Sequence, residues 1–116
     1  LRKVGFEVSE HIGGHGIVGI MKNGKGPQIL YRTDMDALPM LEKTDLDYSS
    51  MEIEDAKMHS CGHDMHMTTW LGTARYMANN KDKWSGTLML IGQPAEEIGA
   101  IKFSPTKTES KAEQPF

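Results

Sequence analysis

An α/β domain is the fold this sequence predicts, and three stretches predict it. Met67, Trp70, Leu71, Ala74 and Met77 recur at the spacing of one helical face. Thr87-Leu88-Met89-Leu90-Ile91 is a continuous apolar run too short for a helix, the pattern of a strand covered on both faces. Gln28-Ile29-Leu30-Tyr31-Arg32-Thr33 is a second strand, and it runs straight into two carboxylates, Asp34 and Asp36. A strand-helix-strand order gathers strand ends at one edge of a sheet, where open α/β folds build their sites.

The elements follow in order. Leu1 to Val4 reads as coil or the tail of a helix, and Gly5 separates it from Phe6-Glu7-Val8-Ser9, which alternates like a short strand. His11 to Gly16 holds three glycines and two histidines and reads as a loop, so His11 and His15 are taken as loop residues. Ile17-Val18-Gly19-Ile20-Met21 is the next strand. The spacer Asn23-Gly24-Lys25-Gly26-Pro27 is short enough to join it to residues 28–33 as an antiparallel hairpin. Met40 to Met58 is polar, acidic and aperiodic, a long surface loop. Asp64 is the expected N-cap of the helix, which should end near Asn79-Asn80 before Gly86 opens the last strand. Residues 1–100 make one folded unit by this reading. From Ile101 to Phe116 the composition turns to Lys, Ser, Thr, Pro, Glu and Gln, and a disordered tail is expected.

Composition narrows the function classes. A chain of 116 residues supports one domain with a modest core. The net charge of -3, with signs mixed and no basic stripe, argues against nucleic acid and anionic membranes as partners. No apolar run approaches the roughly 18 residues of a membrane span. Leu1-Arg2-Lys3 is neither an initiator methionine nor a signal peptide, so residues upstream are expected and localisation is left open. Cys61 is the single cysteine, which excludes an internal disulfide and leaves metal binding, nucleophilic chemistry or packing.

Chemistry concentrates at two places. In Met58-His59-Ser60-Cys61-Gly62-His63-Asp64 a thiol and an imidazole sit two residues apart, with His66 close behind, and this is a donor set that Zn²⁺ and similar ions favour. Taken alone, Cys61 and His63 would more often be incidental packing; the neighbouring His59, Asp64 and His66 raise the metal reading. In Gln93-Pro94-Ala95-Glu96-Glu97 two adjacent carboxylates follow a strand. On its own such a pair is most often a solvated strand end. If one carboxylate binds metal while its neighbour holds a water, the pair supplies what metal-assisted hydrolysis requires. Asp34 and Asp36, two apart at a strand end, would project to the same side and could orient a ligand; the plain alternative is a turn.

Together, Asp34-Met35-Asp36-Ala37-Leu38-Pro39, His59-Ser60-Cys61-Gly62-His63-Asp64 and Gln93-Pro94-Ala95-Glu96-Glu97 resemble the M20 metallopeptidase family. The branch they are most similar to is the amidohydrolases, which include hippurate hydrolase, N-acyl-amino-acid deacylases and auxin-conjugate hydrolases. The resemblance covers roughly residues 1 to 100 and implies part of a zinc-exopeptidase-like catalytic domain with a mixed sheet, the lid domain being absent. It implies hydrolysis of an amide bond in a small N-acyl amino acid at a divalent metal site (Zn, Mn, Co or Ni), two ions being held in the intact family. Metal ligands would be Cys61, His63 and Glu97. Glu96 would be the general base, with Asp36, or else Asp34, orienting the site. Relatives continue past Glu97 to further ligand histidines and the lid, so these residues imply an inactive piece of such an enzyme. A homodimer is a further possibility. Two other readings stand beside it: a metal-binding piece without turnover, and thiol chemistry with Cys61 as nucleophile and His63 or His59 as base.

Overall fold

The computed structural model describes residues 1–97; the tail expected over 101–116 lies outside the described residues. Strands β1 (Glu7–Ile12), β2 (Gly16–Asn23), β3 (Gln28–Asp34) and β4 (Gly86–Gln93) form one sheet in the order β1-β2-β4-β3, and helix α1 (His63–Asn79) links β3 to β4. Short 3₁₀ turns occupy Arg2–Val4 and Lys81–Lys83. β2 is antiparallel to both β1 and β4, while β3 runs parallel to β4. The sheet is mixed, and the β3-α1-β4 crossover supplies its parallel pair.

The hairpin expected between β2 and β3 does not form. The hairpin is β1-β2, and β4 inserts between β2 and β3. Burial explains the exchange: β4 is the most apolar strand and takes a position with neighbours on both edges, where Leu88, Leu90 and Ile91 are at most 4% exposed. The spacer after Asn23 therefore steps past the start of β4 instead of turning back, and the Thr87 N–H donates to the Pro27 carbonyl at 2.9 Å. Gly86 sits at this crossing with φ +121°, and a Cβ there would lie 2.2 Å from the Pro27 oxygen. Gly86→Ala should cost on the order of 1–3 kcal/mol from backbone strain alone. An unchanged urea midpoint in that variant would show that the crossing is looser than described.

β1 is longer than expected and runs through His11 and Ile12 before the left-handed residues Gly13 and Gly14 turn the chain. Its register with β2 slips between Ser9 and Ile12, where His11 itself adopts φ +62°.

Helix α1 is capped by Gly62, not Asp64. Gly62 lies at φ +77°, and its carbonyl accepts the N–H groups of Met65 and His66, each at 3.1 Å. The helix thus begins one residue before Asp64, which places His63 in the first turn and Asp64 where the helix N-terminus favours negative charge. Its end matches the expectation, since the Asn80 side chain donates to the Tyr76 carbonyl at 2.8 Å. Of the expected stripe, Trp70 and Ala74 are buried and Met67 and Met77 are half-buried, but Leu71 is 41% exposed. The docking of α1 on β3 is fixed by the Trp70 indole N–H, which donates to the Tyr31 carbonyl at 3.2 Å. Phe6, Met21, Trp70, Ala74, Leu88 and Leu90 form the core on this side.

On the opposite face Met89 is flanked in register by Ile20 and Leu30, and Leu30 is 56% exposed. Cover on both faces was expected for β4. Among the described residues α1 covers one face only, because the chain places a single helix between its strands.

Candidate metal centre

Parallel pairing of β3 and β4 makes both strands end at the same sheet edge. The ladder runs one residue beyond Asp34, where the Met35 N–H donates to the Gln93 carbonyl at 2.9 Å. Arg32 ties the two strand ends further, meeting Asp34 Oδ1 at 3.0 Å and donating to Gln93 Oε1. The segments after β3 and β4 therefore leave side by side, and the first residue of α1, His63, faces both.

His63 is 5% exposed. Its Nδ1–H donates to the Asp36 backbone carbonyl at 3.0 Å, with Asp36 Oδ1 3.4 Å from the same nitrogen. In the neutral ring that bond keeps the proton on Nδ1 and leaves Nε2, 3.8 Å from Glu97 Oε1, as the nitrogen with the free lone pair. The Glu97 N–H donates to Asp36 Oδ2 at 3.0 Å, so Asp36 holds His63 with one end and the glutamate segment with the other. Burial of Asp36 would raise its pKa, but the backbone N–H groups of Glu97, Asp36 and Glu96, with a smaller contribution from the adjacent His63 ring, outweigh it and hold the carboxyl below its ordinary value. The exposed Cys61 thiol is pushed up, first by its hydrogen bond to Glu97, then by partial desolvation and the charges of Glu97 and Glu96, against a smaller opposing bond from Ser60.

These donors fit a divalent cation. His63 Nε2 and the Glu97 carboxylate face each other at 3.8 Å, two electron-rich groups that a proton or a cation between them would join. Ligand atoms of His63, Glu96 and Glu97 can lie within 4.8 Å of one another. Imidazole nitrogen and carboxylate oxygen suit zinc and its neighbours in the transition series, while the Cys61 thiol, hydrogen-bonded to Glu97, stands outside these groups of mutually close donors.

The structure thus brings His63, Glu96, Glu97 and Asp36 to one place, with Cys61 reaching it through its hydrogen bond to Glu97. Asp34 stands slightly apart, ion-paired with Arg32, and forms a second possible donor group with His63 and His66. His66 lies one helical turn from His63, their rings 5.8 Å apart. The i, i+3 spacing of the two histidines was the signal for this pair. His59 turns elsewhere and lines a separate polar cavity with Glu42 and Asp64. His15, read as a plain loop residue, lines the same cavity as Asp36 and Glu97. No local motif could have marked it, since it comes to this cavity only through the pairing of β2 with β4.

Comparison with known proteins bears on this geometry. Residues 30–114 match the model of peptidase family M20/M25/M40. Hippurate hydrolase of Campylobacter jejuni is 46% identical over 104 residues, which is 88% of this chain and 26% of that enzyme. Thermostable carboxypeptidase 1 of Saccharolobus solfataricus is 46% identical over 103 residues, 87% of this chain and 26% of its own. This chain therefore spans about a quarter of the length of the curated relatives it matches. The crystal structure of a dinuclear metal-binding peptidase from the M20 family of Bacillus subtilis superposes with a TM-score of 0.75 at 36% identity, over 86% of this chain and 28% of that one.

Proposed function

The chain belongs to peptidase family M20/M25/M40, and we propose that it carries part of a divalent-metal site that hydrolyses the amide bond of N-acyl amino acids. Cys61, His63 and Glu97 hold the ion, Glu96 is the general base, and Asp36 positions His63. The observation that carries the reading is the His63 imidazole, fixed by Asp36 through Nδ1 and presenting Nε2 to Glu97 at 3.8 Å. A bound divalent ion supplies Lewis acidity, polarising the amide carbonyl and acidifying water.

The residues do the rest. Glu96 takes a proton from water as its oxygen bonds to the carbonyl carbon, then delivers that proton to the leaving nitrogen as the C–N bond breaks. Asp36 keeps His63 in one tautomer and orientation, the task a carboxylate commonly performs behind a ligating histidine. Asp34, anchored by Arg32, steadies the end of β3.

The thiol reading loses support from Cys61 itself. A nucleophilic cysteine needs a lowered pKa, and this one is raised by the glutamates beside it. A second reading is metal binding without turnover, with Cys61, His63 and Glu97 holding a single ion. In this form one ion binds weakly and no N-acyl amino acid is cleaved.

Cobalt tests the ligand assignment. With Co²⁺ the chain should absorb at roughly 300–350 nm as expected of a sulfur ligand, and Cys61→Ser should remove the band. Because the thiol must lose its proton on binding, apparent affinity should climb about tenfold per pH unit below the thiol pKa. Cobalt spectra and affinity that are the same in Cys61→Ser, at every pH, would exclude Cys61 as a ligand.

A further inference from the structure

Ala95 lies between the end of β4 and the glutamate pair, and its backbone is left-handed, with φ +56°. Among the described residues four non-glycines adopt positive φ: His11, Asp45, Asp55 and Ala95. Histidine and aspartate enter this region more readily than other side chains, aspartate because its short polar group bonds locally to the backbone. Alanine has no such group, so its Cβ crowds the following carbonyl oxygen without compensation. A residue strained in this way persists only where its surroundings hold it, and such residues gather at functional sites.

The contacts that hold Ala95 lie on both sides of it. β4 stops at Gln93, whose carbonyl accepts the Met35 N–H at 2.9 Å, and Pro94 has no N–H with which to extend the ladder. Beyond the turn, the backbone N–H groups of Glu96 and Glu97 both reach the Asp36 carboxylate, that of Glu97 at 3.0 Å from Oδ2. In an extended chain successive N–H groups point to opposite sides. Two neighbours share one acceptor only across a turn, the anion-holding concavity that a left-handed residue makes beside an ordinary one. We propose that Ala95 is a positioning residue of the metal centre, whose left-handed turn, clamped by Asp36, swings Glu96 and Glu97 off the line of β4 and toward His63. The inference rests on the metal reading above and adds to it the residue that aims the two carboxylates. Asp36 Oδ1 also lies 3.4 Å from His63 Nδ1, so one clamp sets the imidazole and the glutamates relative to each other.

The test separates backbone shape from side-chain bulk. Ala95→Gly and Ala95→Asn admit the left-handed turn, whereas Ala95→Val, β-branched, resists it. In calorimetric titration of the full chain with Co²⁺, Ala95→Gly and Ala95→Asn should bind within about threefold of the wild type. Ala95→Val should bind about tenfold more weakly. Amide NMR of the metal-free chain reads the turn itself. The Glu96 and Glu97 N–H protons should show the downfield shift of bonds to a carboxylate in the wild type, Ala95→Gly and Ala95→Asn, and lose it in Ala95→Val. The urea midpoint, followed by tryptophan emission, should stay the same in Ala95→Val, because residues 94–97 give up the Asp36 contacts while β4 and α1 keep theirs. Cobalt held as tightly by Ala95→Val as by the wild type, or as loosely by Ala95→Asn as by Ala95→Val, would overturn the role of Ala95 and spare the metal reading. A wild-type chain that takes up no cobalt would overturn the metal reading and the positioning role with it.

Discussion

Glu96→Gln should lower turnover by something on the order of 10² to 10⁴, the usual worth of a positioned general base, while leaving metal in place. The test needs a complete enzyme. This chain's residues 1–97 can replace the matching segment of the Campylobacter hippurate hydrolase, with which the chain shares 46% identity over 104 residues. In that chimera Glu97→Gln should fail differently. Glu97 faces His63 Nε2 at 3.8 Å and takes the hydrogen bond of the Cys61 thiol, so its loss should lower metal occupancy along with activity. At Glu96 the exchange of carboxylate for neutral amide keeps the shape of the side chain and removes its ability to accept a proton. Metal analysis beside turnover separates the two roles. Equal metal content and equal residual activity in the two variants would show that the roles are assigned wrongly.

The adjacency of Glu96 and Glu97 was legible in the sequence, and so was the Cys61-His63 pair, because both are short local patterns. The elements were legible for the same reason: the 3.6-residue period of Trp70 and Ala74 and the apolar run of β4 are signals carried within a single window. What failed was pairing between windows. A short spacer before Gln28 suggests a hairpin, yet strand order is decided by which strand gains most from a central position, and that is a comparison across the whole chain. Leu90 at 0% exposed and Leu30 at 56% record the result. The place of His15 was hidden by the same circumstance, since only the β2-β4 register carries it to the cavity that Glu97 also lines. The Asp64 cap misled because an acidic residue is equally welcome in the first turn, where the structure has it.

The uncovered sheet face yields the last prediction. Leu30 and Met89 lie side by side on the face away from α1, with Ile20 completing the row, and Leu30 is 56% exposed. β3 is at the same time an edge strand, its second edge unpaired among the described residues. An apolar face next to an open edge is the arrangement through which sheets add further strands or associate face to face. The purified chain should therefore self-associate as its concentration rises into the micromolar range typical of such species. Replacing Leu30 with Lys puts a charge in the middle of the row at a position already half in solvent, so it should restore the monomer at little cost to the fold. Sedimentation velocity over a range of concentrations reads the outcome directly. A wild-type chain that stays monomeric throughout, or a Leu30→Lys variant that associates just as strongly, would show that this face is not sticky and that the chain is stable without cover. Association should also leave the chain inactive, because a second copy offers the sheet face and edge, not further ligands beside Cys61, His63 and Glu97. Metal-dependent release of glycine from N-benzoylglycine by the associated form, abolished by Glu96→Gln, would mean instead that a partner copy completes the site.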